Sequence, residues 1–198
     1  VTFYDFAKFV CWVVLRVVWR YRAIGVERVP RAGPLILACN HVSYLDPPAL
    51  GVGLKRPVHY MAKEELFRIP ILATLIRWCN AYPVDRSRGD VAAIKRSVQV
   101  LRTGAAIGIF PEGTRNPHGT LPPQSGVALL HYLSGAPVVP AFVAGTRDAR
   151  RLERVQVIYG DPLSFVRPGE KASREDLAKW TTEIMKHIAA LRETLGAD

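Results

Sequence analysis

With 198 residues, 49% of them apolar and 22% charged, the chain can bury one substantial core and is not an unstructured tail. Its net charge of +10, from 27 lysines and arginines against 17 acids, fits an anionic membrane surface, a phosphorylated small molecule or nucleic acid, and does not choose among them. Cys11, Cys39 and Cys79 are odd in number and widely spaced, which excludes a closed disulfide framework, suits a reducing compartment, and leaves no His/Cys cluster at metal-ligand spacing.

Residues 3–22 read as a helix. Phe3, Phe6, Val10, Val13, Val14 and Val17 share one side at 3.6-residue spacing, opposite a narrow stripe of Asp5, Lys8, Arg16 and Arg20 with Trp12 and Trp19 along it. The longest uncharged run, Phe9 to Leu15, falls far short of the ~20 residues a spanning helix needs. No small-residue cleavage site follows it, so it does not read as a secretory signal. Two placements fit, one in the bilayer interface and one docked on the domain's own core. The Trp and Arg positions favour the interface.

Gly25 to Pro34 is a turn-rich connector, dividing the chain into an amphipathic, membrane-associating helix at 1–24 and one domain at 25–198. Strand, loop and helix then alternate. Apolar or β-prone runs occur at 35–39, 57–62, 80–84, 106–110, 138–142 and 154–159. A helix over 91–102 has Asp90 as cap and Gly104 just past its end, and a short apolar helix covers 126–133. The last helix starts at a capping box, Ser173 to Asp176, and aligns Leu177, Trp180, Ile184, Ile188, Leu191 and Leu195 on one core-facing stripe. Strands alternating with helices predict an α/β domain whose central sheet is largely parallel and flanked by helices.

The polar residues fall at the ends of these strands. His41 to Asp46 follows the first, Lys63 the second, Asp85-Arg86 the third, and Glu112 to Arg115 the fourth. In open α/β sheets ligands bind beyond the carboxyl ends of the strands. If the four strands are parallel, His41, Lys63, Arg86, Glu112 and Arg115 therefore meet at one edge. An imidazole takes a proton from an alcohol near neutral pH, and a neighbouring carboxylate fixes its tautomer and stabilises its charged form. Five positions on an ideal helix turn a side chain about 140° away. Asp46, however, precedes Pro47-Pro48, which suits a helix start with Asp46 as N-cap and His41 folded back from a loop. Such a pair also arises by chance, with Asp46 capping a helix and His41 satisfying a loop carbonyl. The cations at the same edge weigh against chance and suit an alcohol that carries a phosphate.

These residues together resemble the glycerophosphate acyltransferase family, the 1-acyl-glycerol-3-phosphate acyltransferases in particular, from about Gly25 to Tyr159. Asn40-His41 through Asp46 fits the family's first motif, Tyr82-Pro83-Val84-Asp85-Arg86 its second, Phe110 to Arg115 its third and Val138-Val139-Pro140 its fourth. The resemblance implies transfer of an acyl chain from acyl-CoA or acyl carrier protein to the 2-hydroxyl of lysophosphatidic acid, with no cofactor beyond that cosubstrate. It implies His41 as general base and Asp46 as its orienting acid. Lys63, Arg86, Glu112, Gly113, Thr114 and Arg115 are then substrate-binding: the arginines hold phosphate, Glu112 positions the acceptor or braces its loop, and the amides near Gly113 or the Lys63 ammonium face the oxyanion. It also implies a peripheral or monotopic enzyme on an anionic phospholipid surface, at the cytoplasmic face of the cell membrane. Gln124 stands where relatives often carry lysine, and Asn116 where serine is common.

Other acceptors, namely glycerol 3-phosphate or another lysophospholipid, and a non-catalytic basic membrane module remain as alternatives. Nucleic acid is disfavoured because the aromatics sit in apolar runs and are not interleaved with basic residues. A serine hydrolase is disfavoured by the lack of a Gly-x-Ser-x-Gly elbow.

Overall fold

The computed structural model describes residues 3–84, 91–165 and 171–196. Seven strands form one sheet: β1 (Arg22–Ile24), β2 (Leu35–Cys39), β3 (Val58–Lys63), β4 (Ala81–Val84), β5 (Ala106–Ile109), β6 (Val138–Ala144) and β7 (Gln156–Tyr159), in the order β1-β7-β6-β2-β5-β3-β4. Strands β6, β2, β5, β3 and β4 are parallel. Among the named strands of the described residues only β6 and β7 pair antiparallel, and β1 follows the direction of β7. The predicted largely parallel α/β sheet is therefore present.

The helices are α1 (Phe3–Val18), α2 (Asp46–Val52), α3 (Pro70–Trp78), α4 (Val91–Arg102), α5 (Gly126–Ser134) and α6 (Arg174–Gly196). All five residues of β2 are buried, as expected of a parallel strand covered on both faces. Leu35, Leu37 and Cys39 face a core with Leu15, Leu50 and Tyr159. Ile36 and Ala38 face the opposite core, filled by Ile94, Val98 and Leu101 of α4, Leu130 of α5 and Ile184 and Ile188 of α6. The capping box at the start of α6 is formed: the Ser173 amide donates to Asp176 Oδ2 at 2.9 Å, and the Asp176 amide to Ser173 Oγ at 3.1 Å. Gly104 closes α4 at φ +80°, where a side chain would be strained. The expected Asp90 cap lies outside the described residues.

One expectation at the amino end is corrected, and of the two placements offered for the helix the one that docks its wide apolar side on the core is not adopted. The helix stops at Val18, four residues early, because Arg20 takes a left-handed backbone conformation (φ 49°) and the following residues join β7 as β1. That pairing is made with a segment more than 130 residues away, so no local pattern announced it. The wide apolar side of α1 is also not its docking side. Ala7 and Leu15 are buried, Tyr4 Oη accepts from the Val58 amide, and Lys8 Nζ donates to the Leu54 carbonyl, so a residue of the predicted polar stripe faces inward. Phe6, Phe9, Val10 and Val17 stay exposed, Val17 by 74%. A helix apolar nearly all round offers hydropathy no way to choose its inner face.

Helix α2, seven residues long, is held by three tyrosine hydroxyls. Tyr60 donates to the Pro47 carbonyl at 2.8 Å, Tyr21 to Ala49 at 2.9 Å and Tyr159 to Leu50 at 2.6 Å. Burial raises all three phenols above their ordinary titration range, so they remain neutral donors. Gly108 of β5 makes room for Tyr60, since a Cβ there would lie 2.3 Å from the ring.

Candidate active site

Strand order brings the chemistry together. Strands β6, β2, β5 and β3 are successive neighbours with their carboxyl ends on one edge. Past the first three ends stand Thr146, His41 and Glu112, and Lys63 is the last residue of β3. Of the convergence predicted from sequence, His41, Lys63, Glu112 and Arg115 stand at this edge; Asp85 and Arg86 lie outside the described residues.

Asn40 ends the run of β2. Its side chain donates to the Val143 carbonyl at 3.0 Å and accepts from the Val143 amide at 2.8 Å, so the amide group continues the pairing with β6. The main chain is then released to turn, and it carries His41 outward. His41 Nδ1 lies 2.9 Å from Asp46 Oδ2. Asp46 is fully buried, and Oδ2 also accepts from the amides of Val42 at 2.6 Å and Ser43 at 2.7 Å. Its other oxygen, Oδ1, accepts from Thr146 Oγ1 at 2.6 Å. The carboxylate thus ties the loop into a tight ring and presents an acceptor to the imidazole. With Nδ1 directed at a carboxylate, the proton sits on Nδ1 and the lone pair on Nε2.

Asp46 is not the N-cap expected from Pro47-Pro48. Leu45 occupies that position, Asp46 is the first helical residue, and its side chain points back over the preceding loop. The two prolines do stand in the first turn, as expected.

The loop after β5 packs against the same imidazole. The Phe110 ring stacks on His41 with centroids 4.2 Å apart and planes 23° from parallel. Glu112, only 8% exposed, accepts the His41 main-chain amide at 2.7 Å through Oε2 and the Asn116 side-chain amide at 3.3 Å through Oε1. Burial pushes its carboxyl above the usual range, against the two hydrogen bonds that favour the charged form. Both oxygens are engaged inside the protein. The Asn116 amide donates to the His41 carbonyl at 2.6 Å, and its side-chain oxygen accepts from Thr120 and Leu121. The residue at the usual serine position therefore organises the loop.

Gly113 sits at φ +71°, and its amide donates to the Phe110 carbonyl at 2.9 Å, closing the turn. That amide is occupied by the turn. Gln124 packs over it, 2.5 Å from where a Cβ would stand, and puts a neutral amide at the position of the common lysine. Thr114 and Arg115 are exposed, and the Arg115 guanidinium lies over the Tyr44 ring at 3.8 Å from its centroid. Lys63 is exposed at the end of β3. Thr146 and the bridging role of Asn40 were not singled out from sequence. For Thr146 no local signal exists, because its partner is 100 residues earlier.

The family model for acyltransferases matches residues 20–144, from just before β1 through β6. The chain belongs to the acyltransferase family. This acyltransferase is 31% identical to the 1-acyl-sn-glycerol-3-phosphate acyltransferase of Bacillus subtilis over 97% of its own length and 98% of the relative's. It is 28% identical to the enzyme of that name from Pseudomonas aeruginosa, over 97% of this chain and 79% of the other. The crystal structure of the 1-acyl-sn-glycerophosphate acyltransferase PlsC from Thermotoga maritima superposes with a TM-score of 0.74. It is 25% identical, covering 96% of this chain and 79% of that one.

Proposed function

We propose that this acyltransferase moves a fatty acyl chain from a thioester, acyl-CoA or acyl-ACP, to the 2-hydroxyl of lysophosphatidic acid, giving phosphatidic acid. The names of the relatives support the acceptor. The observation that carries the chemistry is the 2.9 Å contact between His41 Nδ1 and the buried Asp46 carboxylate.

His41 Nε2 takes the proton of the acceptor hydroxyl as its oxygen attacks the thioester carbonyl carbon. Asp46 holds the ring and stabilises the imidazolium that forms. The tetrahedral oxyanion collapses, the C–S bond breaks, and the leaving thiolate takes the proton from His41. Lys63, exposed at the same edge of the sheet, is assigned to the developing oxyanion charge; the Gly113 amide itself is already bonded to Phe110. Arg115 and Arg86 hold the acceptor's phosphate, with Thr114 alongside, and Glu112 braces the loop that carries the base. The reaction as proposed uses no cofactor beyond the thioester.

Stacking on Tyr44 preorganises Arg115 for that task. With lysophosphatidic acid and acyl-CoA as substrates and phosphatidic acid read by mass spectrometry, Arg115→Ala is expected to raise the acceptor KM about tenfold with a smaller change in kcat. An unchanged acceptor KM removes Arg115 from the phosphate site. Failure of the wild type to acylate lysophosphatidic acid while acylating another lysophospholipid reassigns the acceptor.

The site is proposed to work at the cytoplasmic face of the cell membrane, with the enzyme attached peripherally to anionic phospholipid. Support for attachment comes from the exposed apolar surface that α1 and α3 share: Phe6, Phe9, Val10 and Val17 on one, Ile71, Leu75 and Trp78 on the other, joined by Phe3 against Trp78 with ring centroids 3.7 Å apart and planes tilted by 45°. Among the described residues no helix is long and apolar enough to cross a membrane. Because α1 also docks on the domain, deleting it would expose core, and point changes test its outer face more cleanly. A Phe6→Ser, Val10→Ser, Val17→Ser variant is expected to lose most of its co-sedimentation with anionic vesicles while melting like wild type. Full retention of vesicle binding assigns that surface elsewhere.

A further inference from the structure

The mechanism proposed above uses Asp46 through Oδ2, and the other oxygen of that carboxylate has a partner of its own. Among the described residues the one hydrogen bond to Oδ1 comes from Thr146 Oγ1, at 2.6 Å, with both residues fully buried. We infer that Thr146 is a positioning residue for acyl transfer, whose hydroxyl fixes the rotation of the Asp46 carboxylate and through it the aim of the His41 imidazole. The inference rests on the assignment of His41 as base.

The division of labour between the two oxygens makes the case. Oδ2 receives three donors, the His41 ring and the Val42 and Ser43 amides, all within the same short loop. The torsion about Cβ–Cγ is intrinsically soft, and the three donors on Oδ2 restrain it only from within their own loop. A donor on the second oxygen, from a residue that follows a different strand, ties the carboxylate to the sheet as well. Thr146 is such a donor: it follows β6, whereas Asp46 starts α2.

The chain is shaped to deliver it. Gly145, between β6 and Thr146, has φ +76°, and a Cβ there would lie 2.1 Å from the Arg154 carbonyl oxygen. Only glycine fits that turn against fixed backbone. Asn40 locks β2 to Val143, three residues before Thr146, so the strand carrying the base and the strand leading to the hydroxyl are in register where they leave the sheet. The base, its acid and the hydroxyl thus form a relay anchored at three separate elements.

A merely structural threonine would affect stability alone. The test therefore compares Thr146→Val, which keeps the shape and removes the hydroxyl, with Thr146→Ser, which keeps the hydroxyl. The full chain is assayed with lysophosphatidic acid and acyl-CoA. Thr146→Val is expected to lower kcat about tenfold or more, the scale of one hydrogen bond to a buried charge, with the acceptor KM within about twofold. Thr146→Ser is expected to recover most of the rate. The low-field proton NMR signal of His41 Nδ1–H, followed on folded protein, is expected to move or broaden in the valine variant and return in the serine variant.

Wild-type kcat and an unmoved Nδ1–H signal in folded Thr146→Val overturn the inference, as does a serine variant no better than valine. If the valine variant does not fold, Thr146→Cys carries the comparison: a weaker donor of similar volume, expected to give an intermediate rate, with a wild-type rate overturning the inference. His41→Ala assayed alongside separates the two levels. An inactive His41→Ala beside a wild-type Thr146→Val refutes the positioning role alone, whereas an active His41→Ala refutes the base and the positioning role with it.

Discussion

Replacing His41 by alanine is expected to lower kcat for acyl transfer by about 10²–10⁴-fold, the range that a positioned general base supplies, and to leave the fold intact. The second half of that expectation follows from how the residue is held. Its main-chain amide and carbonyl are bonded to Glu112 and Asn116, and neither bond involves the imidazole. The ring itself is partly exposed, so its loss opens no sealed cavity. The loop keeps its path through these bonds, while Asp46 loses one of its four donors and Phe110 its stacking partner. Single-turnover rates with lysophosphatidic acid and acyl-CoA, beside a thermal melt, read both halves. Residual turnover within a few-fold of wild type would take the imidazole out of the mechanism.

Changing Asp46 to asparagine is expected to do more, because it strikes the fold as well as the reaction. The carboxylate accepts four hydrogen bonds while fully buried. An asparagine offers one acceptor oxygen and brings an NH₂ group to a place where every neighbour already donates. If its oxygen stays with the Val42 and Ser43 amides, the NH₂ faces Thr146, whose hydroxyl must turn round to accept it; if it turns, the NH₂ opposes the two amides. Losing hydrogen bonds to a buried charge costs about 3 kcal/mol. Stability is therefore expected to fall by about that amount, alongside a kcat loss of roughly the His41→Ala scale and a smaller change in acceptor KM. Chemical denaturation and steady-state kinetics on the same preparation separate the two losses. An Asp46→Asn enzyme with wild-type stability would mean that the four donors do not depend on the negative charge.

Much of this arrangement could be read from the chain because parallel sheets translate order into place. A buried strand such as Leu35 to Cys39 has a plain signature, and in a parallel sheet every strand end reaches the same edge. Placing His41, Lys63, Glu112 and Arg115 together needed no more than that. What escaped depended on partners distant in sequence. Thr146 is one of many hydroxyls until β6 is laid beside β2. Strand β1 is three residues long and exists only because β7 lies next to it. The arginine excess also misled in one respect. Arg56 is buried and donates to the carbonyls of Pro30, Gly33 and Gly104, so this guanidinium serves the loops opposite the site and no anion. Charge composition counts such a residue among the cations facing a phosphate. For α1 the difficulty was different: the helix itself was plain, but Ala7, Cys11 and Leu15 are no more apolar as a set than Phe6, Val10 and Val17, and its docking is fixed by Tyr4 and Lys8 meeting Val58 and Leu54, which lie 54 and 46 residues away in sequence.

The three phenols that grip α2 have a consequence for how the enzyme fails. A helix of seven residues has little tendency to persist in water by its own backbone bonds. Fastened at Pro47, Ala49 and Leu50 to side chains from β3, from just before β1 and from β7, it spans the width of the sheet like a bolted crosspiece. Slow hydrogen exchange in α2 should therefore track global unfolding and not local fraying. The acid at its first residue cannot drift away by degrees as the temperature rises; activity would be retained nearly whole until the sheet parts, and then vanish in the same step.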